Sequence, residues 1–319
     1  MDMNKTLVRF LCLLLPVRRW RYVCRRVLTE GSVNWWRKRQ GIRLFYWRER
    51  NFGDRLNENL MQLLGCPYEG SPAYFADAVC IGSLLEEFLL RKQGRIQRPV
   101  HVFGTGFIRE AEPGRAEQFH RPMIFHALRG RLSLERCCAM TGANPEEIVL
   151  GDPGLLLKRI FPQVAKKPRY DVGIILHMAD ANFPVMEHIR LRKHTWKILD
   201  IALPPEEFVR QLCECRFILS SAMHGLIAAD AMGIPNRHIQ LGERVVGGSY
   251  KFRDYYSAYT HVPYEPIALE NRVLRDEDII QLREEYAVPP EEVKAIGERL
   301  MQAFGRLPAL CPQSSGTIV

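Results

Sequence analysis

The feature that most constrains this chain is an alternation between short apolar runs and amphipathic stretches of helical spacing. The first runs are "IRLFYW" (42–47), "AVCIG" (78–82), "VHVFG" (100–104), "MIFHAL" (123–128) and "EIVLG" (147–151), with helices expected at 55–64, 83–91 and 131–141. Near-continuous apolarity marks strands covered on both faces, the condition of parallel sheets whose crossovers are helices. Beyond "RIFPQVAKKPR" the alternation restarts, with strands at 171–176, 196–201, 216–220 and 237–241 and helices near 184–193, 205–214 and 224–232. Two such units in series imply an α/β chain of two Rossmann-like lobes facing a cleft. The expected division is an N-terminal arm over 1–40, a first lobe over 41–160, a second over 165–305 that includes a last helix near 289–304, and a flexible tail over 306–319. A length of 319 residues accommodates two cores.

Charge is distributed unevenly along this plan. Residues 1–50 carry 13 Lys and Arg against 3 Asp and Glu, so of the totals of 45 and 36 the remaining 269 residues carry 32 and 33. The lobes are therefore close to neutral, and nucleic acid is not an expected partner. In the arm, "LVRFLCLLLPVRRWRYVCRRVL", the apolar run Phe10 to Val17 is too short to span a bilayer and contains Pro16. Next to it stand Arg18, Arg19, Arg21, Arg25 and Arg26 with Trp20 and Tyr22 between them. That combination suits a helix lying in an anionic membrane surface, each basic residue contributing about 1 kcal/mol. Peripheral membrane association through residues 1–30 is the expectation, and a merely solvated arm the alternative. The nine scattered cysteines lack zinc-site spacing and read as free thiols in a reducing cytosol.

Ligands of open parallel sheets bind outside the carboxyl ends of the strands, so the polar residues there are the candidates. After the first strand, "RERNFGDRLNENL" offers Gly53 for a sharp turn and Asp54 as a helix cap. "GTGF" supplies two glycines that admit a ligand closely. In "HALRGRLS", Arg129 stands at a helix entry, where its fork can take a carboxylate or phosphate in a bidentate way. "LGDPGLLL" reads as a cap by Asp152 with Pro153 in the first turn. "SSAMHGLIAADAMGIP" sets His224 among Ser220, Ser221 and Gly225 where a strand hands over to a helix; a histidine there can exchange a proton, and the helix N-terminus favours an anion. In "GGSYKFRDYYSAY", Lys251 and Arg253 add positive charge, Tyr255 and Tyr256 offer flat faces to a sugar, and the glycine pair suggests a loop that closes on a ligand. By pattern alone this is a cleft for an anionic small molecule.

Taken together and in order, "NFGDRLN", "GTGF", "ALRGRLS", "LGDPGLLL", "SSAMHGLIAADAMGIP" and "YKFRDYY" resemble the polysaccharide pyruvyl transferase family, in particular the members that add pyruvate ketals to exopolysaccharide repeat units. The resemblance covers about residues 44 to 259, with "SAMHG" standing for the more frequent S-x-L-H-G. It implies a glycosyltransferase-B-like fold and phosphoenolpyruvate as donor, with no further cofactor and no metal. The pyruvyl group goes to two hydroxyls of one sugar, closing a cyclic ketal and releasing phosphate. Carried over by motif, the family's histidine falls on His224, its arginine on Arg129 and its lysine on Lys251; Asn51, Asp54, Ser221 and Arg253 are further candidate substrate contacts from the sequence. Arg129 and Lys251 would bind the donor's phosphate and carboxylate, and His224 would transfer protons as acid or base. The implied acceptor is a sugar of a bacterial surface glycan or its lipid-linked repeat unit, which matches an arm on the inner face of the plasma membrane. A glycosyltransferase using a nucleotide sugar is the rival, since one fold carries many functions.

Overall fold

The computed structural model describes residues 41–48, 51–89, 97–180, 195–242, 245–269 and 274–311. The expected membrane arm, the helix near 184–193 and the tail beyond 311 lie outside the described residues.

Two parallel sheets form the frame. The first contains β1 (Ile42–Phe45), β2 (Tyr68–Gly70), β3 (Ala78–Val79), β4 (Val100–Phe103), β5 (Met123–Leu128) and β6 (Val149–Leu150), with α1 (Phe52–Leu63), α2 (Arg131–Thr141) and α3 (Leu157–Ile160) between strands or following them. Its order is β2-β1-β3-β4-β5-β6. The second contains β7 (Tyr170–Ile175), β8 (Trp196–Leu199), β9 (Cys215–Ser220), β10 (Asn236–Gln240) and β11 (Ile267–Ala268), with α4 (Pro205–Leu212), α5 (Met223–Met232), α6 (Tyr250–Tyr256) and α7 (Asp276–Glu284); α8 (Pro290–Phe304) closes the chain's regular structure. Its order is β11-β10-β9-β7-β8. Renumbered within each lobe, both orders begin 2-1-3-4-5, so each sheet reverses direction beside its own first strand, between β1 and β3 and between β7 and β9. Those two crevices are where such sheets receive ligands.

The lobes are joined by a single continuous core. Phe52, at the start of α1, stacks on Phe208 of α4 with ring centroids 4.3 Å apart, and the Phe52 amide donates to the Ile201 carbonyl at 2.8 Å. Phe52, Leu56 and Leu60 recur at helical spacing and are all buried. Asn57, on the same helix and fully buried, donates to the Asp54 and Ile81 carbonyls and accepts from the Ile81 amide, each at 3.0 Å, which ties α1 to the end of β3.

Three segments differ from the expectation. The helix expected over 83–91 is reduced to a short 3-10 turn at Leu85–Phe88, because its amides bond elsewhere: Leu84 donates to Thr105 Oγ1 and Leu85 to the Gly106 carbonyl. The stretch expected as a closing loop is instead the buried helix α6. The last helix, placed by sequence with the second lobe, returns to the first and lies on β4, β5 and β6. Phe304 stacks on Phe103 at 5.2 Å, and Ile296 packs so closely on Gly151 that a Cβ there would meet its side chain at 2.3 Å.

Candidate active site

The two crevices face each other, and the residues after β1 meet those after β9. Asn51 caps α1, its Oδ1 accepting the Gly53 amide at 3.0 Å, so the capping role the sequence offered to Asp54 belongs to Asn51. Asp54 sits in the first turn, close enough to act on the charge of Lys251. Across the cleft, Ser220 Oγ accepts the Ala222 amide at 3.0 Å and shapes the turn into α5; Gly225 packs against that hydroxyl, where a Cβ would come within 2.4 Å. Ser221 is buried, and its Oγ accepts the His177 amide at 2.9 Å, which binds the ends of β7 and β9 together.

His224, in the first turn of α5, lies over Gly53. A Cβ at position 53 would stand 2.0 Å from Nδ1, so only glycine leaves room for the ring. Its Nε2 lies 4.0 Å from Oδ2 of Asp152, and both atoms are sealed from solvent without a hydrogen-bond partner. Burial, reinforced by Arg129 and Lys251, pushes the imidazole down to about 3 and keeps it neutral. Burial also pushes the Asp152 carboxyl up to about 6, against the Gly154 amide that its Oδ1 accepts at 2.8 Å. Asp152 is thus the cap that the sequence indicates and, with its other oxygen, a neighbour of His224. Nothing in the motif marks this second contact, since a capping carboxylate accounts for it by itself.

Lys251 lies on α6, almost wholly buried. Its ammonium is lowered to about 8, first by burial and then by Arg129, with Asp180 and Asp54 acting in the opposite direction. Asp180, also buried, has two carboxylate oxygens without a hydrogen-bond partner. His238, which the sequence reading did not single out, stacks on Phe252 of the same helix at 3.8 Å.

Arg129 does not extend an open fork into the cleft. It is fully buried, with Nε donating to Asp254 Oδ2 at 2.9 Å, Nη1 to Ser83 Oγ at 2.6 Å and Nη2 to the Phe107 carbonyl. Asp254, on α6 of the other lobe, also accepts the Ser133 amide at 2.8 Å and the Ser133 hydroxyl at 2.7 Å. Two glycines read as room for a ligand lie against protein: a Cβ on Gly106 would lie 2.6 Å from Asp254 Oδ2 of this contact, and one on Gly104 2.4 Å from the Pro153 ring. The next residue after Arg129, Gly130, touches the Asp254 carbonyl, where a Cβ would approach to 1.6 Å.

Tyr255 and Tyr256 are buried, so their faces are not offered to a sugar. The Tyr255 hydroxyl donates to Asp230 Oδ2 at 2.6 Å, and Asp230 also receives Asn236 at 2.6 Å and Tyr286 at 2.8 Å. Arg253 is half exposed and pairs with Glu110 of the first lobe. Nearby, Gly247 packs on the Ile108 carbonyl of the first lobe, where a Cβ would come within 1.9 Å. Among the described residues no three His, Cys, Asp or Glu side chains gather as a metal site, and no helix is long and apolar enough to cross a membrane.

A family model described as polysaccharide pyruvyl transferase matches residues 10–241. An uncharacterized protein of Acanthamoeba polyphaga mimivirus is 30% identical over 141 residues, 42% of this chain and 47% of that protein, so the matched region spans about half the relative's length. Among solved structures, the wall teichoic acid polymerase TagF aligns with 97% of this chain and 94% of its own, at 10% identity and a TM-score of 0.37.

Proposed function

Because the chain belongs to the polysaccharide pyruvyl transferase family, whose members are transferases acting on polysaccharide, we propose that it moves the pyruvyl group of phosphoenolpyruvate onto two hydroxyls of one sugar in a surface glycan or its lipid-linked repeat unit. The products are a cyclic ketal and phosphate. The observation that carries this reading is the company of His224 and Lys251: a neutral imidazole and a buried ammonium at the meeting point of two sheet crevices.

Lys251, buried and forming no carboxylate salt bridge among the described residues, suits a small anion and meets the donor. Arg129, neutralised in part by Asp254, adds positive potential from behind. Burial is the main cause that keeps His224 neutral, with Arg129 and Lys251 adding to it; anion binding offsets those two charges, because a nearby negative charge favours the protonated form. In this way the donor prepares its own acid. His224 gives its proton to the methylene carbon, and the adjacent carbon, now cationic, is attacked by the first hydroxyl, whose proton returns to His224. Phosphate leaves, the second hydroxyl closes the ring, and its proton departs with the phosphate. Asn51 and Asp54 border the same space from the first lobe. The basic arm, residues 1–30, would bring the enzyme to a membrane surface that carries a lipid-linked acceptor.

Thermal unfolding with phosphoenolpyruvate, phosphate, pyruvate and UDP-sugars tests the donor assignment, since a ligand that binds only the folded state raises the midpoint. A rise specific to phosphoenolpyruvate that disappears in Lys251→Ala, followed by phosphate release on adding acceptor glycan that disappears in His224→Ala, is the expected result. A rise with a UDP-sugar alone would move the assignment to glycosyl transfer.

A further inference from the structure

Buried polar atoms nearly always have partners, and a buried acceptor and a buried donor facing each other without a bond are an exception that calls for a cause. Asp152 Oδ2 and His224 Nε2 are such a pair, 4.0 Å apart, contributed by different lobes and both sealed from solvent. The rest of each side chain is fixed. Asp152 Oδ1 accepts the Gly154 amide, and the Nδ1 edge of the imidazole lies on Gly53. The remaining oxygen of one residue therefore points at the remaining nitrogen of the other, and an approach of about 1 Å would bring them to hydrogen-bond distance.

We propose that Asp152 is the positioning residue of the proton-transfer site: its Oδ2 receives Nε2–H of His224, fixes that tautomer, and leaves Nδ1 as the nitrogen that exchanges the proton with substrate. The inference rests on the role given to His224 above. Asp152 is fully buried and acts through the imidazole without touching substrate. An imidazole needs such a partner here. Arg129 and Lys251 both oppose its protonation, and a carboxylate on the far side of the ring stabilises the imidazolium that forms in mid-reaction. The groups bearing on Asp152 are His224 of α5, Arg129 at the end of β5, Asp254 of α6 and Tyr259 beyond it. Arg129 and Asp254 bond each other, which leaves His224 as the neighbour without a competing partner.

The variant that separates this role from capping is Asp152→Asn. Asparagine keeps an oxygen for the Gly154 amide and caps as well as aspartate, but its amide cannot accept Nε2–H and turn with the ring as a carboxylate does. The expected result is an unfolding midpoint close to that of the parent, an unchanged KM for phosphoenolpyruvate, and a kcat at least about 100-fold lower, within the range of lost acid–base catalysis. Nitrogen NMR of the histidine rings, with His224 assigned by its disappearance in His224→Ala, reads the tautomer directly. Nε2–H in the parent and its loss in Asp152→Asn is the expected pattern. Nδ1–H in the parent, or an Asp152→Asn enzyme with parental kcat, would overturn the proposal. If the parent releases no phosphate from any pairing of donor and glycan, the functional reading fails, while the tautomer still decides the role of Asp152.

Discussion

Two buried contacts between ionisable side chains of the two lobes, among the described residues, are built differently. At Arg129 and Asp254 donors and acceptors are matched: guanidinium, serine amide and serine hydroxyl converge on one carboxylate at 2.7 to 2.9 Å. At Asp152 and His224 the two facing atoms stop 4.0 Å apart with no other partner. A matched network makes a buried charge tolerable and fixes the geometry around it, whereas an unmatched pair retains free energy that a ligand or a proton can use. The first contact is a rivet between lobes, and the second is the proposed proton-transfer site. Both were drawn in the sequence as a charged residue at a helix entry, so residue type and position alone do not separate them.

The largest expected effect breaks the rivet. Arg129→Ala leaves Asp254 buried without its counter-ion and should lower stability by about 3–5 kcal/mol in urea unfolding. In Arg129→Met combined with Asp254→Leu, the loss should be smaller than the sum of the two single losses; additive losses would show that the contact is not a unit.

Next comes the unmatched side. Gly53→Ala puts a Cβ 2.0 Å from Nδ1 and must displace the ring. A misplacement of about 1 Å costs on the order of 100-fold in rate, while overpacking costs stability about 1–3 kcal/mol. Parental kcat in this variant would mean that the observed seat of the imidazole is not the working one.

A pH dependence sharpens the comparison further. Lys251, lowered to about 8, loses its proton in the folded enzyme well before an ordinary lysine does. The unfolded chain binds the extra proton between about 8 and the ordinary value near 10.4, so this group favours the folded state progressively as pH rises through that window and disfavours it below. Anion binding runs the other way: KM for phosphoenolpyruvate should climb above pH 8, and Lys251→Arg, which stays charged, should abolish the climb. A KM independent of pH between 7 and 9 in the parent would remove Lys251 from the donor site.

The smallest effect is expected at the exposed strut between lobes. Arg253 is 45% exposed and its partner Glu110 65%, so Arg253→Ala should change stability by less than about 1 kcal/mol. Its donor KM should also stay near that of the parent, and a large rise would put Arg253 among the substrate contacts.

The strands were legible because both faces of a parallel sheet are covered, which writes them as unbroken apolar runs; β5, read as 123–128, is observed at those bounds. Helix α2 was legible from its spacing and the Gly142 that ends it in the left-handed region, at φ 70°. Segments whose partners are distant in sequence were not. The 83–91 stretch has helical composition, but its amides go to Thr105 and Gly106, over twenty residues away. Helix α6 was hidden by the mixture of charge and aromatic residues that suggests a loop; the charges are there to meet Ser133, Arg129 and the cleft, Tyr255 to meet Asp230 and Tyr256 to meet Asn236. His224 could be singled out from its place at a strand end, but the orphaned oxygen of Asp152 could not, since its sequence context is fully explained by the cap. The glycines of "GTGF" were read as admitting a ligand closely, but the groups that lie against them are Asp254, Arg129 and Pro153 of the protein itself.

The return of α8 to the first sheet has a mechanical consequence. The backbone passes from the first lobe to the second between α3 and β7, and goes back between α7 and α8, where Pro289 and Pro290 stiffen the passage. A body held to another at one point can swing and twist freely, whereas one held at two points keeps chiefly the rotation about the line through both. The double tether therefore confines relative movement of the two lobes to rotation about that line, and the buried Arg129–Asp254 contact holds them against even that rotation.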